Sequence, residues 1–133
     1  MLDICDEVAN GKIADPFKAQ DRTLEESQFS YNSIRDFSDN IRSVKFVYQG
    51  SRGDPGSDSL SSFVRKQNGA LDARAASEID AAIAAILAIS ADGEPFTNAI
   101  TDPAKSAVIA GAQDAIHTVM TTLQGGILPL VVR

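Results

Sequence analysis

The chain has 133 residues and a formal net charge of −6, with 18 acidic and 12 basic side chains. This length fits a single domain with one moderate core. The acidic balance argues against a nucleic-acid-binding protein, which needs lysines and arginines gathered on one face. Cys5 is the only cysteine, which excludes an internal disulfide and a zinc site made of thiolates. No apolar run approaches the roughly 20 residues of a membrane-spanning helix, so no transmembrane segment is predicted.

The first part of the chain predicts a short helix followed by an irregular strap. Apolar spacing indicates a helix over residues 1–9, and Asn10-Gly11 is a typical left-handed stop signal. Residues 12–29 lack a clean period, and Asp15-Pro16 marks a turn. We expect this segment to be a strap held by apolar anchors, with a functional loop as the alternative. The expected anchors are Ile13, Phe17 and Phe29.

The clearest helix pattern in the sequence lies over residues 33–49, just before Gly50. Apolar residues at alternating spacings of three and four form one stripe, which must face a core. The stripe consists of Ile34, Phe37, Ile41, Val44 and Tyr48. A polar edge runs beside it, made of Asn32, Asp36 and Asn40, with Ser30 and Ser33 at its entry. These short polar groups are the most promising site material in the chain.

Two further segments follow Gly50. Residues 51–57 contain two glycines and a proline and predict a loop. Residues 58–66 predict a short helix, and Asn68 is placed to cap the next one. The residues expected to face inward from the short helix are Leu60, Phe63 and Val64.

The second half predicts two long helices. Residues 70–91 are rich in alanine, which favours helix and close packing. Their apolar face is Leu71, Ile79, Ile83, Ile86 and Ile89. After a turn at residues 92–95, Asp102-Pro103 starts the last helix, which is expected to end at Gly125-Gly126. The sequence therefore predicts one all-α domain over residues 1–133, an antiparallel bundle of about four helices.

The residues offer little independent catalytic chemistry. None of the four residues after His117 is a carboxylate, and no glycine-rich stretch is followed by the lysine of a phosphate loop. Asp36 and Asn40 carry oxygen ligands one helical turn apart and would contribute to a metal or polar-ligand site only together with donors from elsewhere. A solvated helix face is the alternative interpretation.

Several segments of the sequence resemble the C-terminal half of imelysin-like proteins. The segments are residues 6–13 (DEVANGKI), 26–33 (ESQFSYNS), 36–37 (DF), 40–44 (NIRSV) and 47–50 (VYQG), followed by 71–74 (LDAR), 95–96 (PF) and the closing amphipathic helix. The resemblance extends over nearly the whole chain and is most specific over residues 26–50. It implies a bacterial envelope protein, periplasmic or lipid-anchored, often iron-regulated and named a metallopeptidase, with two helical bundles and a site between them.

One motif expected from the resemblance is missing from this chain. The family's His-x-x-Glu motif belongs to the first half, and here His117 is followed at the third position by Met120. Hydrolysis by this chain alone is therefore not expected, and any iron or zinc would be held mainly by the other half. The residues corresponding to the site-facing helix are Ser30, Asn32, Ser33, Asp36 and Asn40, which we carry over as ligand-binding candidates with no catalytic residue among them.

These observations give three hypotheses for function. The first is a binding domain linked to iron or another metal, whose partner is a missing N-terminal half or a second copy of the chain. The second is part of a metallopeptidase completed by a His-x-x-Glu motif upstream. The third is a structural or partner-binding helical bundle.

Overall fold

The computed structural model describes residues 1–50 and 58–132, and this part of the chain is helical without any strand. The predicted loop over residues 51–57 lies outside the described residues. Two π-helical segments, Glu7–Ala14 and Leu123–Ile127, and two short 3-10 turns, Arg22–Leu24 and Pro103–Lys105, connect the α-helices. The α-helices are α1 (Leu2–Asp6), α2 (Asp15–Ala19), α3 (Ser33–Gln49), α4 (Leu60–Gln67), α5 (Gly69–Ala88), α6 (Phe96–Ala99), α7 (Ser106–Thr122) and α8 (Leu128–Val131).

The N-terminal helix is longer than the sequence predicts. It does not end at Asn10-Gly11 but continues through the π segment into α2 and ends at Gln20, which has a left-handed φ of 54°. Val8, Ala9, Ile13 and Ala14 are buried on its inner face. Gly11 permits a left-handed stop but does not require one, and burial of the residues beyond it favours continued helix.

Helix α3 agrees with its prediction. Phe37, Ile41, Val44 and Tyr48 are fully buried, and Ile34 packs against them from the edge of the core. The helix stops at Gly50, whose φ of 75° favours glycine. Phe37 also meets Phe96 edge-to-face, with ring centroids 5.3 Å apart.

Side-chain contacts show that neighbouring long helices run antiparallel. Arg74, near the start of α5, donates to Thr122 at the end of α7, with Nη2 and Oγ1 2.7 Å apart. Lys105, just before α7, donates to the Ile89 carbonyl oxygen at the end of α5 over 2.9 Å. The end of α3 meets the start of α5 through a Tyr48 hydrogen bond to Asp72. Packing of α1 on both α3 and α7 closes the ring, so the predicted all-α antiparallel bundle is confirmed.

Three details of the sequence interpretation are wrong. Phe29 does not anchor the strap, because 89% of its surface is exposed. Phe63 is also exposed, and Ser61 takes the inward position because its hydroxyl bonds Asp72. The last helix does not end at Gly125-Gly126 but continues into α8, since Leu123 and Ile127 are buried on either side of the two glycines.

Within residues 1–50 and 58–132, no helix combines the length and the hydrophobicity that a bilayer crossing needs.

Candidate functional site

The candidate residues lie at the start of α3, where a tight turn folds back on the helix. The backbone N–H groups of Ser30 and Tyr31 both donate to the Ser27 carbonyl oxygen, at 3.2 and 3.1 Å. Tyr31 has a left-handed φ of 53°, which is uncommon for a residue other than glycine. This turn places Ser27 beside the first turn of α3.

Asp36 is the centre of a small polar cluster. Ser27 Oγ donates to Asp36 Oδ2 over 2.7 Å, and Asn32 Nδ2 donates to Asp36 Oδ1 over 2.6 Å. Each carboxylate oxygen thus receives one hydrogen bond and keeps capacity for another donor or a cation. Asp36 is half-buried, so its orientation is fixed by the protein while the group remains accessible.

A second carboxylate, Glu25, accepts a hydrogen bond from the first residue of α3. Ser33 Oγ, at the first position of α3, donates to Glu25 Oε1. Only 3% of the Glu25 surface is exposed, and its Oε2 has no hydrogen-bond partner among the described residues. An unpaired buried carboxylate oxygen is costly, which marks a position where an additional donor would be stabilising.

The structure brings together only part of the candidate set. Ser27 and Asn32 both donate to Asp36, and Ser33 donates to Glu25; the sequence analysis selected neither Ser27 nor Glu25. Their contacts depend on the turn before α3, and this turn cannot be predicted from the spacing of residues within the helix. Ser30 instead donates to the Ser27 carbonyl oxygen, and Asn40 accepts at its backbone carbonyl from Ser43.

A mixed-charge groove of about 680 Å³ is lined by residues of the N-terminal helix and by Leu24 and Glu26. Lys12 Nζ is 3.0 Å from Glu26 Oε2 and 3.4 Å from Glu7 Oε1. Burial alone would lower the pKa of Lys12, but the hydrogen bonds and charges of the two glutamates outweigh burial and raise it. Lys12 therefore stays charged and ties the N-terminal helix to the segment before α3.

The described residues do not form a complete metal centre by themselves. Within residues 1–50 and 58–132, no group of three or more His, Cys, Asp and Glu side chains is placed to hold an ion. His117 Nε2 lies 3.0 Å from Asn10 Oδ1, away from any carboxylate partner in the described hydrogen bonds. Burial raises the pKa of Cys5 to about 11, so its thiol is not a ready thiolate ligand.

A different buried cluster lies at the opposite end of α3. Tyr48 and Ser61 donate to Asp72 Oδ1 at 2.9 and 2.6 Å, and Arg65 Nε donates to Asp72 Oδ2 at 2.9 Å. Burial alone would raise the pKa of Asp72, but these hydrogen bonds and the Arg65 charge lower it. Burial and the neighbouring Asp72 raise the pKa of Tyr48. This cluster clamps α3, α4 and α5 together.

The family model described as Imelysin matches residues 1–123. The chain belongs to the imelysin family. The family resemblance drawn from the sequence is thereby confirmed. Iron-regulated protein A of the cyanobacterium Synechococcus elongatus is 30% identical to this imelysin-family chain over 132 residues, covering 98% of the chain and 36% of the relative.

Two solved structures share the fold. A protein from Parabacteroides distasonis that carries the name of an iron-regulated protein A precursor is 32% identical, with a TM-score of 0.83 over 93% of this chain and 37% of its own. An imelysin peptidase from Bacteroides ovatus is 26% identical, also with a TM-score of 0.83, over 99% of this chain and 38% of its own. The imelysin-family chain described here thus spans a little over a third of the length of these relatives.

Proposed function

We propose that this chain is the C-terminal half of a longer imelysin-like protein of the bacterial cell envelope, where it binds a metal or polar ligand and does not catalyse a reaction by itself. The observation that carries the proposal is the Asp36 carboxylate at the start of α3. Ser27 and Asn32 hold both its oxygens in place, and the group stays accessible. A fixed and half-exposed carboxylate is suited to ligand binding, because it loses little conformational entropy when a ligand binds.

The carboxylates of this chain can bind a metal only together with further ligands. Asp36 supplies an accessible carboxylate, and Glu25 supplies a buried one with a free oxygen. Iron and zinc take four or more ligands, with imidazole and carboxylate both suitable. The remaining ligands would come from an N-terminal half or from a second copy of the chain. A bound metal would supply Lewis acidity there, while Ser27 and Asn32 orient Asp36 toward it.

The names of the relatives give iron as the first metal to test. The cyanobacterial relative is named for regulation by iron, and zinc is the natural comparison because the Bacteroides ovatus protein is named a peptidase. That second name also keeps the metallopeptidase alternative open for a whole protein. The reading frame upstream of Met1 decides this alternative: a His-x-x-Glu motif there supports the enzyme, and its absence removes it.

The envelope location is part of the same proposal and depends on the family resemblance. Fractionation of the native bacterium with antibodies against this domain tests it. Recovery with periplasmic or membrane-anchored proteins is expected, and recovery with cytoplasmic markers would contradict it.

Metal binding tests the central claim. The chain is purified alone and joined to its upstream segment, and iron and zinc binding are measured by calorimetry and elemental analysis. We expect the joined protein to bind metal and Asp36→Ala to weaken the affinity about 10- to 100-fold without loss of helicity. Asp114→Ala is the matched control, since Asp114 is an exposed carboxylate on α7. Equal affinity in both variants would remove Asp36 from the site.

A further inference from the structure

A second groove lies between the start of α3 and the end of α5 and has a volume of about 670 Å³. Its walls include Tyr31, Arg35 and Arg42 on one side and Leu87, Ser90 and Glu94 on the other. Successive helix residues are rotated by about 100°, so Arg35 and Arg42 project about 100–120° away from Asp36. The groove is therefore separate from the candidate site at Asp36.

The two arginines of this groove have different roles. Arg42 Nη1 donates to Asp39 Oδ1 over 2.6 Å and to Ser38 Oγ over 3.1 Å, so its guanidinium is already engaged. Arg35 is only weakly held, because its Nε lies 3.9 Å from Asp39 Oδ2 and 78% of its side chain is exposed. Arg35 thus offers a positive charge with several free N–H donors, which suit a carboxylate.

The opposite wall carries a negative charge and a buried hydroxyl. Glu94 is half-buried, and its carboxylate forms no hydrogen bond or ion pair with the residues that the structure describes. Ser90 Oγ is buried without a hydrogen-bond partner in the same described part. A purely anionic ligand would be repelled by Glu94, and a purely cationic one by Arg35. A ligand that carries both charges complements both walls.

Apolar surface completes the groove. Tyr31 is 64% exposed and Leu87 is 42% exposed. Tyr31 is held in its left-handed conformation by the turn hydrogen bond to Ser27. Such a conformation is unfavourable for a residue other than glycine and persists where the surroundings fix it, often at ligand sites.

We propose that this groove binds a small zwitterion whose carboxylate and ammonium groups are joined by an apolar segment. The carboxylate pairs with Arg35 and the ammonium with Glu94, while the apolar segment covers Tyr31 and Leu87. The volume of the groove is within the range of small-molecule sites.

The probe is 6-aminohexanoate, titrated into the full chain by NMR and calorimetry beside hexanoate and hexylamine. We expect the zwitterion to bind at least tenfold more tightly than either analogue with one charge. Arg35→Gln and Glu94→Gln are each expected to remove most of that preference. Lys66→Gln is the matched control, because Lys66 is an exposed cation at the end of α4, and it should leave binding unchanged.

Three outcomes would overturn this proposal. They are hexanoate binding as tightly as 6-aminohexanoate, no saturable binding of the zwitterion, or chemical-shift changes that avoid Tyr31 and Leu87. Zwitterion binding is measured without added metal, so this proposal and the metal-binding proposal fail independently.

Discussion

At the scale of single residues, two buried carboxylates are held in different ways. Asp72 receives hydrogen bonds from Tyr48, Ser61 and Arg65, so both its oxygens have protein partners. Glu25 has one oxygen bonded to Ser33 and the other without a partner among the described residues. A buried carboxylate with both oxygens bonded is typical of a group that stabilises the fold, whereas a buried oxygen without a partner can accept a further donor. We therefore expect Asp72 to contribute to stability, and we propose Glu25 as an additional group of the candidate site.

Asp72 gives a pH-dependent prediction. Its pKa in the folded protein lies below the unfolded value of about 3.9, so its stabilising contribution is fully present above that pH. The contribution is lost as pH falls through the folded pKa, because the unfolded state then binds the proton more readily. We expect Asp72→Asn to lower the free energy of unfolding by about 2–4 kcal/mol at pH 7. The variant should also lose less further stability than the parent between pH 5 and pH 2.

Urea unfolding followed by circular dichroism at several pH values measures both effects. Asp114→Asn is the control, since Asp114 is exposed, and its pH profile should match that of the parent. A parallel profile for Asp72→Asn would show that Asp72 is not the group responsible.

At the scale of elements, helix ends are decided by what lies beyond them. Gly50 ends α3 with a positive φ, whereas Asn10-Gly11 and Gly125-Gly126 are crossed by π-helical segments. In the two latter cases buried apolar residues follow the glycines and keep the chain helical. At Gly50 the chain instead turns toward α4, where Ser59 lies close by. A glycine in the sequence therefore does not by itself end a helix.

A pair of glycine substitutions tests this distinction. At Gly50 a Cβ atom would lie 3.0 Å from the Ser59 Cβ atom and the φ of 75° would be strained. We expect Gly50→Ala to destabilise the domain by about 1 kcal/mol or more. Gly111 lies inside α7 with open space around its Cα, so Gly111→Ala should stabilise by about 0.5–1 kcal/mol. Melting temperatures of the two variants measure the difference, and shifts of the same sign would contradict it.

At the scale of the whole molecule, one hydrophobic core joins the N-terminal helix, α3, α5 and α7. Ile116 of α7, Ile41 of α3, Ile86 of α5 and Val8 of the N-terminal helix are fully buried in the same cluster. The candidate site at Asp36 and the groove at Arg35 both lie on α3, outside this core. Loss of the core therefore removes both, while changes within either site should leave the fold intact.

A cavity substitution tests this arrangement. Ile116→Ala should lower the free energy of unfolding by about 2–5 kcal/mol, because the space left in a closed core is only partly refilled. Val47→Ala is the control, since Val47 is exposed on α3, and its effect should stay within about 0.5 kcal/mol. Chemical denaturation measures both. A small effect at Ile116 would mean that the bundle relaxes around the cavity.

The sequence by itself determined the helical class, the buried stripe of α3, the cap at Asn68, the stop at Gly50 and the family. These features depend on residue spacing and local backbone preference, which neighbouring residues in the chain decide. Only the tertiary structure decided that the chain stays helical past Gly11 and Gly126 and that Phe29 and Phe63 are exposed. It also decided that Ser27 donates to Asp36 and that Ser33 donates to Glu25. Those outcomes depend on contacts between different elements of the fold. The free energy of burial and of hydrogen bonding in these contacts exceeds the local helix propensity.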